Sequence, residues 1–113
     1  MTQSVTRNDL LKAVVDSGKS VAVVEIKEVT MGPKQKAPLH FHPCPTVGVI
    51  TEGEISFEIV GGPVQYLIAG DAFYEPANVR VSKFDNDGDV PAKFVVFYML
   101  GKDEQETVCI LPK

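Results

Sequence analysis

From residue 21 onward the chain alternates. Ala22, Val24 and Ile26 fall on one face of an extended segment and Glu25 and Lys27 on the other, the period of two expected of a half-buried strand. Short runs of the same kind follow, each closed by turn formers. Residues 39–42 stop at Pro43 and Pro45, residues 47–51 at Glu52-Gly53, residues 54–60 at Gly61-Gly62-Pro63, residues 64–68 at Ala69-Gly70-Asp71, and residues 72–75 at Pro76. Residues 79–84 lead into a polar loop, Asp85-Asn86-Asp87-Gly88-Asp89. Residues 92–100 are almost wholly apolar, which predicts a strand covered on both faces. Residues 106–111 form a last alternating run. About nine β runs at spacings of roughly 8–12 residues predict an all-β sandwich or barrel, a single domain over residues 1–113. Only the start reads differently. Asn8 is an N-cap, and Leu10, Leu11, Val14 and Val15 fall at helical spacing, so a short N-terminal helix is expected over residues 7–16, although the β-branched Val14 and Val15 also allow a strand.

Composition narrows the function classes. The 113 residues can bury a core without metal or disulfide staples. The net charge of −4 and the lack of a basic run argue against a nucleic-acid partner. The apolar run of residues 94–100 is far shorter than the about 20 residues needed to span a bilayer, so no membrane role is expected. The N-terminal residues have neither the basic start nor the apolar run of a signal peptide, which makes the cytoplasm the expected location. Cys44 and Cys109 are too few for a disulfide framework; both are expected as reduced thiols, Cys109 as a small core residue.

The chemistry concentrates in Ala37-Pro38-Leu39-His40-Phe41-His42-Pro43-Cys44-Pro45, which holds both histidines of the chain. In a strand His40 and His42 share one face, and two imidazoles side by side are half of a metal site. Leu39 and Phe41 then point the other way and need cover from the N-terminal segment or a second subunit. Cys44 offers a thiol two residues on, and Glu75 a carboxylate just before Pro76; either could extend the site, with Asp85 more distant. Tyr66, Tyr74 and Tyr98 read as wall or core aromatics. The acidic run at residues 85–89 lacks the terminal Glu of a calcium loop and reads as a solvated turn.

The order of these pieces resembles the cupin superfamily, small jelly-roll barrels. The resemblance covers roughly residues 21–100. His40-Phe41-His42 matches the histidine pair of the first cupin motif, and Val49-Ile50-Thr51-Glu52-Gly53-Glu54 looks like the strand and turn that close it. Gly70-Asp71-Ala72-Phe73-Tyr74-Glu75-Pro76-Ala77-Asn78 matches the first half of the second motif. The resemblance implies a site of three His and one Glu holding Zn, Fe, Mn, Ni or Cu. Here the family's Glu falls at Thr46 and its third His at Val81, and the chain has no third histidine.

The resemblance therefore implies an all-β, cupin-type jelly-roll barrel, homodimeric by analogy, with a small-molecule pocket at the barrel mouth. The pocket is expected to be lined by His40, His42, Thr46, Ile50, Phe57, Glu75 and Val81, with metal binding at His40 and His42 weak or lost. Two other readings stay open. One is a cupin-type enzyme, either a metal-dependent oxygenase or isomerase with a non-standard ligand set or a metal-free acid–base catalyst working through His40 or His42. The other is a structural or regulatory module with no small ligand.

Overall fold

The computed structural model describes residues 4–112. Among the described residues, nine strands form two antiparallel sheets. They are β1 (Val23–Met31), β2 (His40–Phe41), β3 (Thr46–Glu52), β4 (Glu54–Ile59), β5 (Gln65–Ile68), β6 (Ala72–Glu75), β7 (Val81–Asp85), β8 (Ala92–Leu100) and β9 (Cys109–Ile110). The first sheet runs β1-β8-β3-β6 and the second β5-β4-β7-β2-β9. Apart from the β4–β5 hairpin, consecutive strands lie in different sheets, and the core forms between the inner faces of a jelly roll.

Alternation sets those faces. On β8, Ala92, Phe94, Val96, Tyr98 and Leu100 are buried while the residues between them are half-exposed. Ile50 of β3, Ile55 and Phe57 of β4, Leu67 of β5, Phe73 of β6 and Phe84 of β7 complete the core. The Phe73 ring fits because Gly48 stands opposite it in the ladder: a Cβ there would lie 2.3 Å from the ring. Gly53, at φ +73°, makes the β3–β4 turn that throws the chain from one sheet to the other.

The expected N-terminal helix is absent. Residues 4–20 are irregular apart from a turn at Ser17-Gly18. Leu10, Leu11 and Ala13 instead line a shallow surface pocket together with Val47, Val49, Ala72 and Phe97 of the first sheet, Leu10 and Leu11 staying exposed. A helix this short is marginal without tertiary packing, and an extended arm covers more of a flat sheet. Cys109 is half-exposed on β9 rather than in the core, because it pairs with Phe41 and so shares the face opposite the inward-pointing His40.

The acidic loop is an internal fastening. Asn86, 1% exposed, directs its side-chain amide at the carbonyls of Met31, Gly32 and Val90, and its Oδ1 accepts the Gly88 N–H. Asp85 accepts the Ala37 N–H at 3.0 Å, and Asp87 accepts from the Ser56 hydroxyl at 2.5 Å. These bonds tie the β7–β8 loop to the segment that leads into the histidines. Among the described residues, no helix is long and apolar enough to cross a membrane.

Candidate metal centre

β2 is only two residues long, yet it aims both histidines. Its ladder partners are Val81 on one side and Ile110 on the other for His40, and Cys109 for Phe41. The alternation continues past the strand, so His40 and His42 both point inward, at 7% and 6% exposure, with Phe41 half-exposed between them. Their rings meet edge to face with centroids 5.1 Å apart. Glu75, at the end of β6, comes from the opposite sheet and is 3% exposed.

Each imidazole is held from behind. The Nδ1–H of His40 donates to the Pro38 carbonyl at 2.7 Å, and that of His42 donates to the Thr107 carbonyl at 2.6 Å. Backbone acceptors at Nδ1 fix the ring orientation and, in the neutral form, leave Nε2 as a bare lone pair. This is the arrangement that supports metal-ligating histidines. One ligand atom from each of His40, His42 and Glu75 lies within 4.8 Å of the others. Atoms sharing a metal at about 2.1 Å stand about 3–4 Å apart, so the three donors are near enough to hold an ion once the His42–Glu75 contact opens to admit it.

Glu75 Oε2 is in direct contact with His42 Nε2 and has no other hydrogen-bond partner. A buried carboxylate set against an imidazole calls for a shared proton or a cation. Burial alone would lower the proton affinity of His42. The hydrogen bond and charge of Glu75, helped by the Thr107 carbonyl, outweigh it and raise the imidazole above its ordinary value. The same lone pairs thus attract a proton when no metal competes. The donor set, two imidazoles and one carboxylate, is that of the facial triads of non-haem iron and suits other first-row divalent ions.

The three donors close one end of a cavity of about 240 Å³. Its other walls are apolar: Phe73, Phe84, Phe94 and Val96 from the core, Val29 and Met31 from β1, and Val108 and Ile110 from the C-terminal segment. Tyr98 stands beside His42, centroids 5.6 Å apart. Burial pushes its hydroxyl up to about 12, so it stays a neutral phenol.

Of the residues expected to line the pocket, the structure brings His40, His42 and Glu75 together on the cavity. Thr46, Ile50, Phe57 and Val81 are buried but lie outside its lining. The Thr46 hydroxyl is turned to the Cys44 carbonyl at 3.1 Å. Cys44 is 1% exposed and outside the donor cluster, and burial pushes its thiol up, the opposite of what a thiolate ligand needs. Asp85 is likewise outside the cluster and bound to Ala37.

Two features escaped the sequence. The cavity walls on β8 could have been found from the shared parity of Phe94, Val96 and Tyr98. The Thr107 carbonyl could not, because a backbone acceptor 65 positions from His42 carries no side-chain signal.

The Cupin domain family matches residues 27–98, more than half of the chain. This chain belongs to the cupins. Solved structures superpose on it. An oxalate oxidase in complex with the substrate analogue glycolate is 22% identical, with a TM-score of 0.68 over 78% of this chain and 46% of its own. A DMSP lyase from Ruegeria pomeroyi is 22% identical, with a TM-score of 0.66 over 77% of this chain and 42% of its own. A sugar phosphate isomerase from Silicibacter pomeroyi is 25% identical, with a TM-score of 0.64 over 85% of this chain and 60% of its own. The chain thus spans about half the length of these structures. No curated protein matches it.

Proposed function

We propose that this cupin binds a divalent first-row transition metal through His40, His42 and Glu75 and uses it to hold a small molecule in the adjoining cavity. The observation that carries the reading is the buried Glu75 carboxylate set against His42 and close to His40, with the other nitrogen of each imidazole tied to a carbonyl. Fe(II) suits this donor set best, with Zn, Mn, Ni and Cu as alternatives. Three protein donors leave coordination positions for a ligand. When bound, the metal would polarise a ligand oxygen as a Lewis acid. The chain's own part is to fix the three donors, exclude water with apolar walls and keep Tyr98 as a neutral hydroxyl beside the site. Oxidation or isomerisation of the bound molecule is the enzymatic form of this reading.

A second reading rests on the His42–Glu75 contact. Without metal, the pair shares a proton in a buried site and can act as an acid–base couple.

Metal analysis of protein purified without a histidine tag separates the two. The first reading expects one equivalent of metal, lost in His42→Ala. Substoichiometric metal unchanged by His42→Ala overturns it.

We also read the protein as a cytoplasmic homodimer. The free Cys44 and Cys109 suit a reducing compartment. The outer edge of β1 has no strand beyond it, and Val24 and Ile26 are 52% and 61% exposed. Antiparallel pairing of β1 with its copy about Ile26 sets Glu25 opposite Lys27, a complementary match.

A further inference from the structure

We propose that the cavity selects a small monoanion, a monocarboxylate or enolate with a compact apolar body, and discriminates against dianions. The inference rests on the metal reading above and concerns what the metal is offered. Charge is the first argument. A divalent ion bound by the Glu75 carboxylate and two neutral imidazoles carries one net positive charge. Among the described residues, no lysine, arginine or second carboxylate lines the cavity. The nearby Lys27, its ammonium 5.8 Å from the Tyr98 ring centroid, stands 4.0 Å from Glu25 on its own strand, so that rim pair is neutral as well. One monoanionic head brings the buried site to zero. A dianion leaves an uncompensated charge among phenylalanine and valine side chains, which is strongly unfavourable.

Hydrogen bonding is the second argument. Apart from the three donors, Tyr98 supplies the one polar side chain in the lining. A ligand with polar groups along its body, such as a sugar or a sugar phosphate, would bury them without partners at Phe73, Phe84, Phe94 and Val96. Polar atoms are accommodated only at the head. Size is the third argument. About 240 Å³ corresponds to about eight waters' worth of liquid, room for a ligand of roughly eight to ten non-hydrogen atoms. That is below the range of about 300–1,000 Å³ of pockets for larger ligands.

The experiment uses the full chain loaded with Co(II), whose visible absorption reports its coordination. Co(II) is titrated first into the wild type and into Glu75→Gln. Butanoate and succinate, a matched four-carbon pair differing by one carboxylate, are then titrated into the loaded protein, with benzoate as the bulkier monoanion. We expect butanoate and benzoate to shift the Co(II) bands and to bind at least tenfold more tightly than succinate. Ile110 lines the cavity but is 67% exposed, so Ile110→Lys adds a cation at the wall without disturbing the core. It should narrow or invert the butanoate-to-succinate ratio. If Co(II) fails to bind, or binds equally well to Glu75→Gln, the metal reading falls and this inference with it. If Co(II) binds through Glu75 but succinate binds as tightly as butanoate, or Ile110→Lys leaves the ratio unchanged, the metal reading stands and the selectivity inference alone is overturned.

Discussion

At one end of the cavity Phe73, Phe84 and Phe94 meet edge to face, with centroids 5.0–6.0 Å apart, and Phe57 continues the cluster. At the other end His40, His42 and Glu75 converge, with the carboxylate in contact with His42. Both ends are built between the same two sheets and are almost equally buried. The aromatic end needs nothing further: its rings satisfy one another by contact, and burial of each contributes to the fold. The polar end is incomplete by itself. Its imidazoles are held by backbone carbonyls, and its carboxylate meets His42 at a contact that a proton or a metal balances. A fold seeking stability alone would fill that end with more phenylalanine. The difference marks one end as the part that holds the barrel together and the other as the part that acts.

Substitution should separate the ends. Phe84→Ala removes the ring that touches Phe57, Phe73 and Phe94 and should cost about 3–5 kcal/mol, a large share of the about 5–15 kcal/mol of a typical domain. Urea unfolding reads this, and a loss below about 1 kcal/mol would remove the distinction between the ends. Glu75→Gln keeps the size of the side chain and removes its charge. It should leave a folded barrel but weaken Zn(II) binding at least about 100-fold, beyond the about 10–100-fold lost when only a supporting residue is removed. Calorimetric titration of metal-free protein measures it, and unchanged affinity would take Glu75 out of the site.

The smallest effect is a pH dependence in metal-free protein. The folded state holds a proton on His42 more tightly than the unfolded chain does, because Glu75 and Thr107 outweigh burial. The resulting stabilisation is fully present below the ordinary value of 6.5 and is lost as pH rises through the higher folded value. Urea midpoints taken from about pH 5.5 to about pH 8 should therefore fall more in the wild type than in Glu75→Gln, where burial remains but the carboxylate is gone. Equal falls in both proteins would mean that the pair does not share the proton.

The barrel was legible in the chain for a physical reason. Strand alternation and turn formers are local, and residues 72–75 and 92–100 are strands over the bounds their pattern predicts. The histidine pair was legible for the same reason, since one residue of spacing in a strand fixes a shared face. The N-terminal arm misled because Leu10, Leu11, Val14 and Val15 fit a helical stripe, while the surface that receives part of them is a flat sheet. The carboxylate lay between these cases. The resemblance puts the family's Glu at Thr46, and the ladder sets Glu75 directly across from Thr46 on the neighbouring strand. A side chain one strand over reaches the same space, but cross-strand register is not written in either strand alone.

By itself, then, the sequence determined the strands, the shared face of His40 and His42 and the loss of the family's third histidine, all consequences of residue identity and period. Tertiary structure decided that Glu75 faces the pair, that the Thr107 and Pro38 carbonyls orient the imidazoles, and that β1, β6, β7, β8 and the C-terminal segment wall the cavity with apolar side chains. Those contacts join residues far apart in the chain, and only the packing of two sheets brings them within reach.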